Sequence, residues 1–268
     1  MRAGRAVFRA SLFLLAVPAA LLLLGSLLDP YTVRIPDALT PPNLNAPFGT
    51  DSLGRSYLGR VVVGMAVSVG NAAAALAIGL VIAVLLGGVA GVTANRWPDR
   101  CVRALISLIY TLPFFLIVVA VAGVTGLPVW AIPLLIAGVI WPPAARLVRA
   151  EVIRVTRSRF VLAQRAFGLP AAAWWWRSIV PLTIAPALTT LVALLPEIVT
   201  IDVALSFFGL GVQPPTPTLG RLIYDGLSRF QAGWWLTGIP SAALLAYCLA
   251  AHAIHERLAA TLRRATRA

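Results

Sequence analysis

The feature that most constrains this chain is a series of apolar runs, each near the ~20 residues a helix needs to cross a bilayer. Six are present, at 11–28, 66–93, 102–125, 127–145, 184–208 and 234–254. Only 12% of the 268 residues are charged, while 60% are hydrophobic. A soluble domain carries roughly a quarter charged residues. So little polar surface cannot cover a water-soluble globule of this size, and a bilayer must solvate the rest. The run 127–145 is the shortest and carries Pro128, Pro133, Pro142 and Pro143. Membrane helices tolerate proline where neighbours satisfy the freed carbonyls. The first run follows Arg2, Arg5 and Arg9, as a signal peptide would, but its apolar part is too long. Leu24-Gly25-Ser26-Leu27-Leu28 is also a poor cleavage site, so the run reads as an uncleaved first helix.

The formal net charge is +13, and all 22 basic residues are arginine. In a soluble chain such charge would suggest nucleic acid. Here the arginines flank apolar runs and form no face interleaved with aromatics, which excludes that class. Six crossings put both termini on one side. With the N-terminus inside, 17 of the 22 arginines fall on inner segments, and only Arg34, Arg55, Arg60, Arg221 and Arg229 fall outside. By the positive-inside rule both termini are expected in the cytoplasm.

The expected organisation is all-α. Residues 1–28 form the first transmembrane helix, 29–63 an extracytoplasmic loop, and 64–256 a five-helix core. That core contains a cytoplasmic loop at 146–182, and a basic cytoplasmic tail follows at 257–268. A second outer loop covers 209–233. Within the cytoplasmic loop, 151–167 lacks Gly and Pro and alternates basic with apolar residues at helical spacing, which predicts an amphipathic surface helix. Gly168-Leu169-Pro170 then reads as a glycine cap and a proline restart. A second short helix is expected from Ala171 through Trp174, Trp175 and Trp176, stopping near Pro181. Two readings fit this element. Its tryptophans and arginines suit a helix lying on anionic lipid, and its glycine corner suits a groove on a partner protein.

Few residues carry chemistry. Glu197 and Asp202 lie in the fifth run, where a charge is costly and marks a translocation-path or interface residue by default. Five residues apart on a helix, they do not share a face. The alternative for Asp202 is a hydrated position at the outer end of the run. His252 and His255 share a helical face, but two ligands without a third make no metal site. Gly87, Gly88 and Gly91 suggest close helix packing, while Gly49, Gly54, Gly209 and Gly211 suggest turns. Asp51 and Arg55 either brace the outer loop or touch an extracytoplasmic protein. The chain has no phosphate loop, metal-ligand cluster or nucleophile elbow. No catalytic residue, bound cofactor or metal is expected, and the chain cannot hydrolyse ATP by itself.

Four runs together resemble one family. Ala163, Gly168, Ile179 and Pro181 fit the EAA loop of ABC-importer inner-membrane permeases, with Leu162 where that family has Glu and Gln164 where it has Ala. The run 47–55, Pro-Phe-Gly-Thr-Asp-Ser-Leu-Gly-Arg, is similar to an outer-loop run of the dipeptide, oligopeptide and nickel permeases. So are Arg146-Leu147-Val148-Arg149-Ala150-Glu151-Val152 and the run 202–217 from Asp202 through Gly209-Leu210-Gly211 to Pro217. These runs occur in the family's order over roughly residues 45–230. The chain is identified as resembling the second ("C") permease subunit of such importers.

The resemblance implies a six-span type I importer permease in a bacterial inner membrane. Its implied partners are a second homologous permease, two ATPase subunits that use ATP and Mg, an extracytoplasmic substrate-binding protein and membrane lipid. It implies transport of peptides, nickel, metal chelates or related solutes. The implied ATPase-coupling residues are Phe160, Ala163, Arg165, Phe167, Gly168, Leu169 and Pro170, with Phe160 and Phe167 as apolar anchors. A secondary transporter or channel, and a non-transporting membrane scaffold, are the alternative readings of the apolar runs alone.

Overall fold

A chain in a bilayer must satisfy its backbone N–H and C=O groups internally, and the long apolar runs do so as helices. The protein is described from a computed structural model, which covers residues 17–25, 27–111, 120, 130–159, 161, 167 and 175–267. Residues 17–25 are helical. The helices that follow are α1 (Tyr57–Val92), α2 (Trp97–Thr111), α3 (Ala131–Thr156), α4 (Val180–Ala193), α5 (Leu195–Phe207), α6 (Leu219–Leu227) and α7 (Trp235–Arg267). Among the described residues the only extended pairing is an isolated bridge between Thr50 and Ser56. Three helices, α1, α3 and α7, are long and apolar enough to cross a membrane, and α4 with α5 add a fourth if taken as one bent span. The remaining parts of the expected spans 11–28, 102–125 and 127–145 lie outside the described residues.

The bundle is built on α1 against α3. Along its second half α1 buries small residues four apart, Gly79, Ala83, Gly87 and Gly91. Large apolar residues two positions on, Val81, Leu85 and Val89, are exposed instead. That distribution inverts a soluble core and suits lipid outside with close backbone approach inside. Gly79 faces Ile140, Gly87 faces Ala145 and Val148, and Gly91 faces Val152. Rising numbers meet rising numbers, so α1 and α3 are parallel. The chain from α4 to α5 runs the opposite way, since Trp175 meets Gly88 late in α1 while Asp202 meets Asn71 early in it.

Prolines shape two helices differently. Inside α3, Pro142 cannot donate to the carbonyl of Gly138. The Trp141 indole Nε1 donates to that oxygen instead, at 2.9 Å, and α3 continues unbroken through Pro142 and Pro143. At Leu194 the chain does bend, by 49° between α4 and α5, with Pro196 in the first turn of α5.

Several expected boundaries move. The span expected from residue 66 starts at Tyr57, because the Ser56 hydroxyl caps α1 by accepting from Gly59 N. Part of the expected outer loop 29–63 is therefore helix. The run 184–208 is two helices rather than one. The outer loop 209–233 contains α6, capped by Thr218, whose hydroxyl accepts from Arg221 N. The amphipathic helix expected over 151–167 is interrupted, since α3 carries on to Thr156 and then turns at Arg157 and Ser158. The Ser158 hydroxyl donates to Val155 O at 2.7 Å and accepts from Val161 N at 3.4 Å, a side chain replacing the helical pattern. The helix expected to stop near Pro181 does not stop. A π-helical turn at Trp175–Ile179 leads straight into α4, with Pro181 in its first turn.

The α1–α3 seam predicts a contrast between two glycines. A Cβ on Gly87 would lie 2.5 Å from the Ala145 carbonyl oxygen, whereas one on Gly138 meets nothing within 4 Å. Gly87→Val should destabilise the purified protein by about 1–3 kcal/mol. Gly138→Ala should leave its thermal midpoint unchanged or raise it, and a melting curve in detergent distinguishes the two.

Candidate functional site

The run 47–55 folds into a compact cap where α1 and α7 begin. Gly49 and Gly54 have φ of +72° and +70°, a region favourable only to glycine. Their turns fold the loop around Asp51, which is buried. Asp51 Oδ1 accepts from Leu53 N at 2.8 Å and Arg55 N at 3.0 Å, and its Oδ2 accepts from Arg55 Nε at 2.7 Å. Arg60 Nε stands 3.3 Å from the same Oδ2. Trp235 Nε1 donates to Thr50 O, and the Tyr57 hydroxyl donates to Leu236 O, which fastens the cap to α7. Tyr57, Val61, Leu222, Trp235 and Leu236 form the apolar core beneath. Within the cap Asp51 and Arg55 are paired with each other.

The two acids of the fifth run part company. Asp202 is 1% exposed, and its Oδ1 accepts from Asn71 Nδ2 of α1 at 2.8 Å. The buried Ser68 hydroxyl of α1 lies beside the same carboxylate. Asp202 thus lies between α1 and α5 rather than at a hydrated outer end. Glu197 is exposed in the first turn of α5, beside the bend. It lines a cleft of about 250 Å³ with Ile109, Tyr110, Val139, Ile140, Pro143 and Leu194. His252 and His255 hold their ring centroids 6.5 Å apart, and His255 Nδ1 lies 3.3 Å from Thr189 O.

At the opposite end from the cap, the run 146–152 finds a partner that sequence reading missed. Asp99, fully buried at the start of α2, takes Arg149 Nε at 2.6 Å and Nη2 at 2.9 Å. Asn95 N donates to it at 2.9 Å, and Arg103 Nε is 3.4 Å away. The Arg149 guanidinium, helped by Asn95, holds the Asp99 carboxyl at about 2, below its ordinary 3.8. Nothing in the spacing of Asp99 and Arg149 marks them as a pair. Of the expected coupling residues, Phe160, Ala163, Arg165, Gly168, Leu169 and Pro170 lie outside the described residues. Phe167 lies in a turn and is 85% exposed. The C-terminal flank of that run is anchored where the Trp175 ring lies against Gly88, so close that a Cβ there would sit 2.0 Å from it.

Residues 79–264, from the second half of α1 through α7, match the family described as binding-protein-dependent transport system inner membrane component. The chain belongs to this family. It is 30% identical over 237 residues to the dipeptide transport system permease protein DppC of Bacillus subtilis (strain 168), covering 87% of this chain and 73% of the relative. The oligopeptide transport system permease protein AmiD of Streptococcus pneumoniae (strain ATCC BAA-255 / R6) is 30% identical over 218 residues, 81% of this chain and 70% of its own. The oligopeptide transport system permease protein OppC of Bacillus subtilis (strain 168) is 29% identical over 215 residues, 80% of this chain and 70% of its own. The protein is therefore an inner-membrane permease subunit of the ABC-importer kind, a transport component by family.

The Asp99–Arg149 pair predicts a pH dependence. A carboxyl whose folded pKa is depressed stabilises the fold above its unfolded pKa and loses that contribution as pH falls through the folded one. The pair should contribute roughly 2 kcal/mol at neutral pH, lost between about pH 4 and pH 2. Asp99→Asn should lower stability at pH 7 and remove this part of the acid sensitivity, read by thermal melts of the purified protein across that range.

Proposed function

We propose that this chain is one of two permease subunits forming the translocation path of an ATP-driven importer of peptides. Its family membership, with the relatives above all named for peptide transport, carries the reading. The partners are a second, homologous permease, two ATPase subunits that bind and hydrolyse ATP with Mg, and an extracytoplasmic binding protein that delivers the solute. Peptides are the substrate class in preference to nickel or metal chelates.

The chain crosses the membrane six times with both termini in the cytoplasm. Two observations support this. Parallel packing of α1 on α3 requires the chain between them to return once along the bundle. The described arginines also sort to the two ends of the bundle, with Arg96, Arg100, Arg103, Arg149 and Arg154 near the Val92 end of α1 and Arg34, Arg55, Arg60 and Arg221 near the cap. The cap then faces outward, and the stretch between α3 and α4 faces the cytoplasm.

In this reading the corner at Gly168-Leu169-Pro170 seats in a groove of an ATPase subunit, with Phe160 and Phe167 as anchors and Ala163 and Arg165 on the docking face. Leu162 stands in place of the family's acid, so the shape of the corner carries the docking. ATP-driven closure of the ATPases moves this corner, and the motion reaches the membrane through Trp175 on Gly88 and the directly attached α4. The bend at Leu194 separates that moving half from α5, which Asn71 ties to α1. Glu197 beside the bend and Asp202 behind it are the path and interface residues.

Gly168→Asp should leave the protein in the membrane while abolishing uptake of a labelled peptide in cells that have no other copy. Normal uptake would refute the docking corner. Reporter fusions at Leu44, Leu169 and the C-terminus should read outside, inside and inside, and any other pattern would refute the six-span arrangement.

A further inference from the structure

The fold itself makes no use of Glu197. This residue is exposed in the first turn of α5 and lines the cleft of about 250 Å³ beside the bend at Leu194. The walls are Ile109, Val139, Ile140, Pro143 and Leu194, with the Tyr110 ring among them. Ile140 packs on Gly79, well away from both ends of α1, so the cleft lies along the apolar length of the bundle. Among the described residues no ion pair or hydrogen bond reaches the Glu197 carboxylate. Arg146, one turn beyond Pro143 on α3, lies over the Tyr110 ring at 4.5 Å instead.

A carboxylate at that depth is costly unless it is paired or hydrated, and such residues mark function. Asp51, Asp99 and Asp202 differ, because each takes donors from its own chain. A bare metal ion would need several oxygen ligands, and Glu197 is the single acidic side chain lining this cleft. The surroundings suit a cation that carries N–H donors on an apolar body. The carboxylate accepts a charge-assisted hydrogen bond, an aromatic face attracts the same charge, and the aliphatic walls receive the body.

We propose that Glu197 grips the α-ammonium group of the peptide being moved, with the first residue of that peptide resting on the apolar walls. The inference rests on the importer reading above and names the group of the solute that this site recognises. Side chains differ from one peptide to the next, whereas a free N-terminus is common to them. One fixed charge with unspecific apolar contact around it therefore holds peptides of many sequences. The cleft is smaller than the ~300–1,000 Å³ of most small-molecule sites, which suits one end of a peptide and not its whole length. Leu194 is both a wall of the cleft and the point where the chain bends by 49°, so a change in the bend reshapes the grip directly.

The test uses the assembled transporter in lipid nanodiscs, without binding protein, and two probes, dialanine and N-acetyl-dialanine. Binding of each is titrated by saturation-transfer NMR. The wild type should bind dialanine about tenfold more tightly than the acetylated probe. Glu197→Gln should abolish that preference, and Glu197→Asp, which keeps the charge, should retain it. A merely structural role would weaken both probes alike and leave their ratio unchanged. Equal binding of the two probes by the wild type, binding of neither, or a preference that survives Glu197→Gln overturns the grip. Loss of the second permease on purification of Glu197→Gln would assign the residue to the subunit interface and also overturn it. A wild-type complex that takes up no peptide when given binding protein and ATP would instead refute the importer reading itself.

Discussion

Close contact of α1 with α3 is the constraint on which the rest depends. Lipid tails are as apolar as leucine, so burying large side chains brings little association between membrane helices. Gly79, Ala83, Gly87 and Gly91 instead let two backbones approach until dispersion contacts and shape hold them. Gly88, one position off the seam, receives the Trp175 ring and so positions the start of α4. Gly64, near the cap, lets α6 lie on α1 through Thr218 and Leu219. One glycine-rich helix therefore sets the places of its neighbours.

The scarce charges are used where apolar packing cannot discriminate. Asp51 gathers a loop into a cap, Asp99 clamps α2 to α3 at the other end, and Asp202 meets Asn71 between α1 and α5. Each is buried, and each is approached by donors from a distant or folded-back segment. In a low-dielectric setting such ties are specific because the unpaired alternative is expensive. Arg60, buried in α1, stands 3.3 Å from Asp51 Oδ2 and joins the same cluster.

Much of this was legible in the chain. Apolar run length yields the helices, because it follows from the local cost of leaving water. The packing role of Gly87, Gly88 and Gly91 was legible for the same reason. Helix limits were less so. Ser56 extends α1 into the expected loop, Ser158 interrupts an expected helix, and a π-turn carries the Trp run past Pro181 into α4. Each turns on a single side-chain or backbone bond, which hydropathy does not register. The bend at Leu194 had a local signal in Pro196, yet Pro142 and Pro143 carry the same signal in a helix that stays continuous.

The sequence by itself determined a helical membrane protein and, through motifs kept in order, its transport family. These properties depend on composition and on residues near one another in the chain. Only the tertiary structure decided the partners. Asn71 meets Asp202 across 131 positions, and Arg149 meets Asp99 across 50. Those pairings exist because the glycine seam brings particular turns of separate helices level with one another. No local pattern encodes that register.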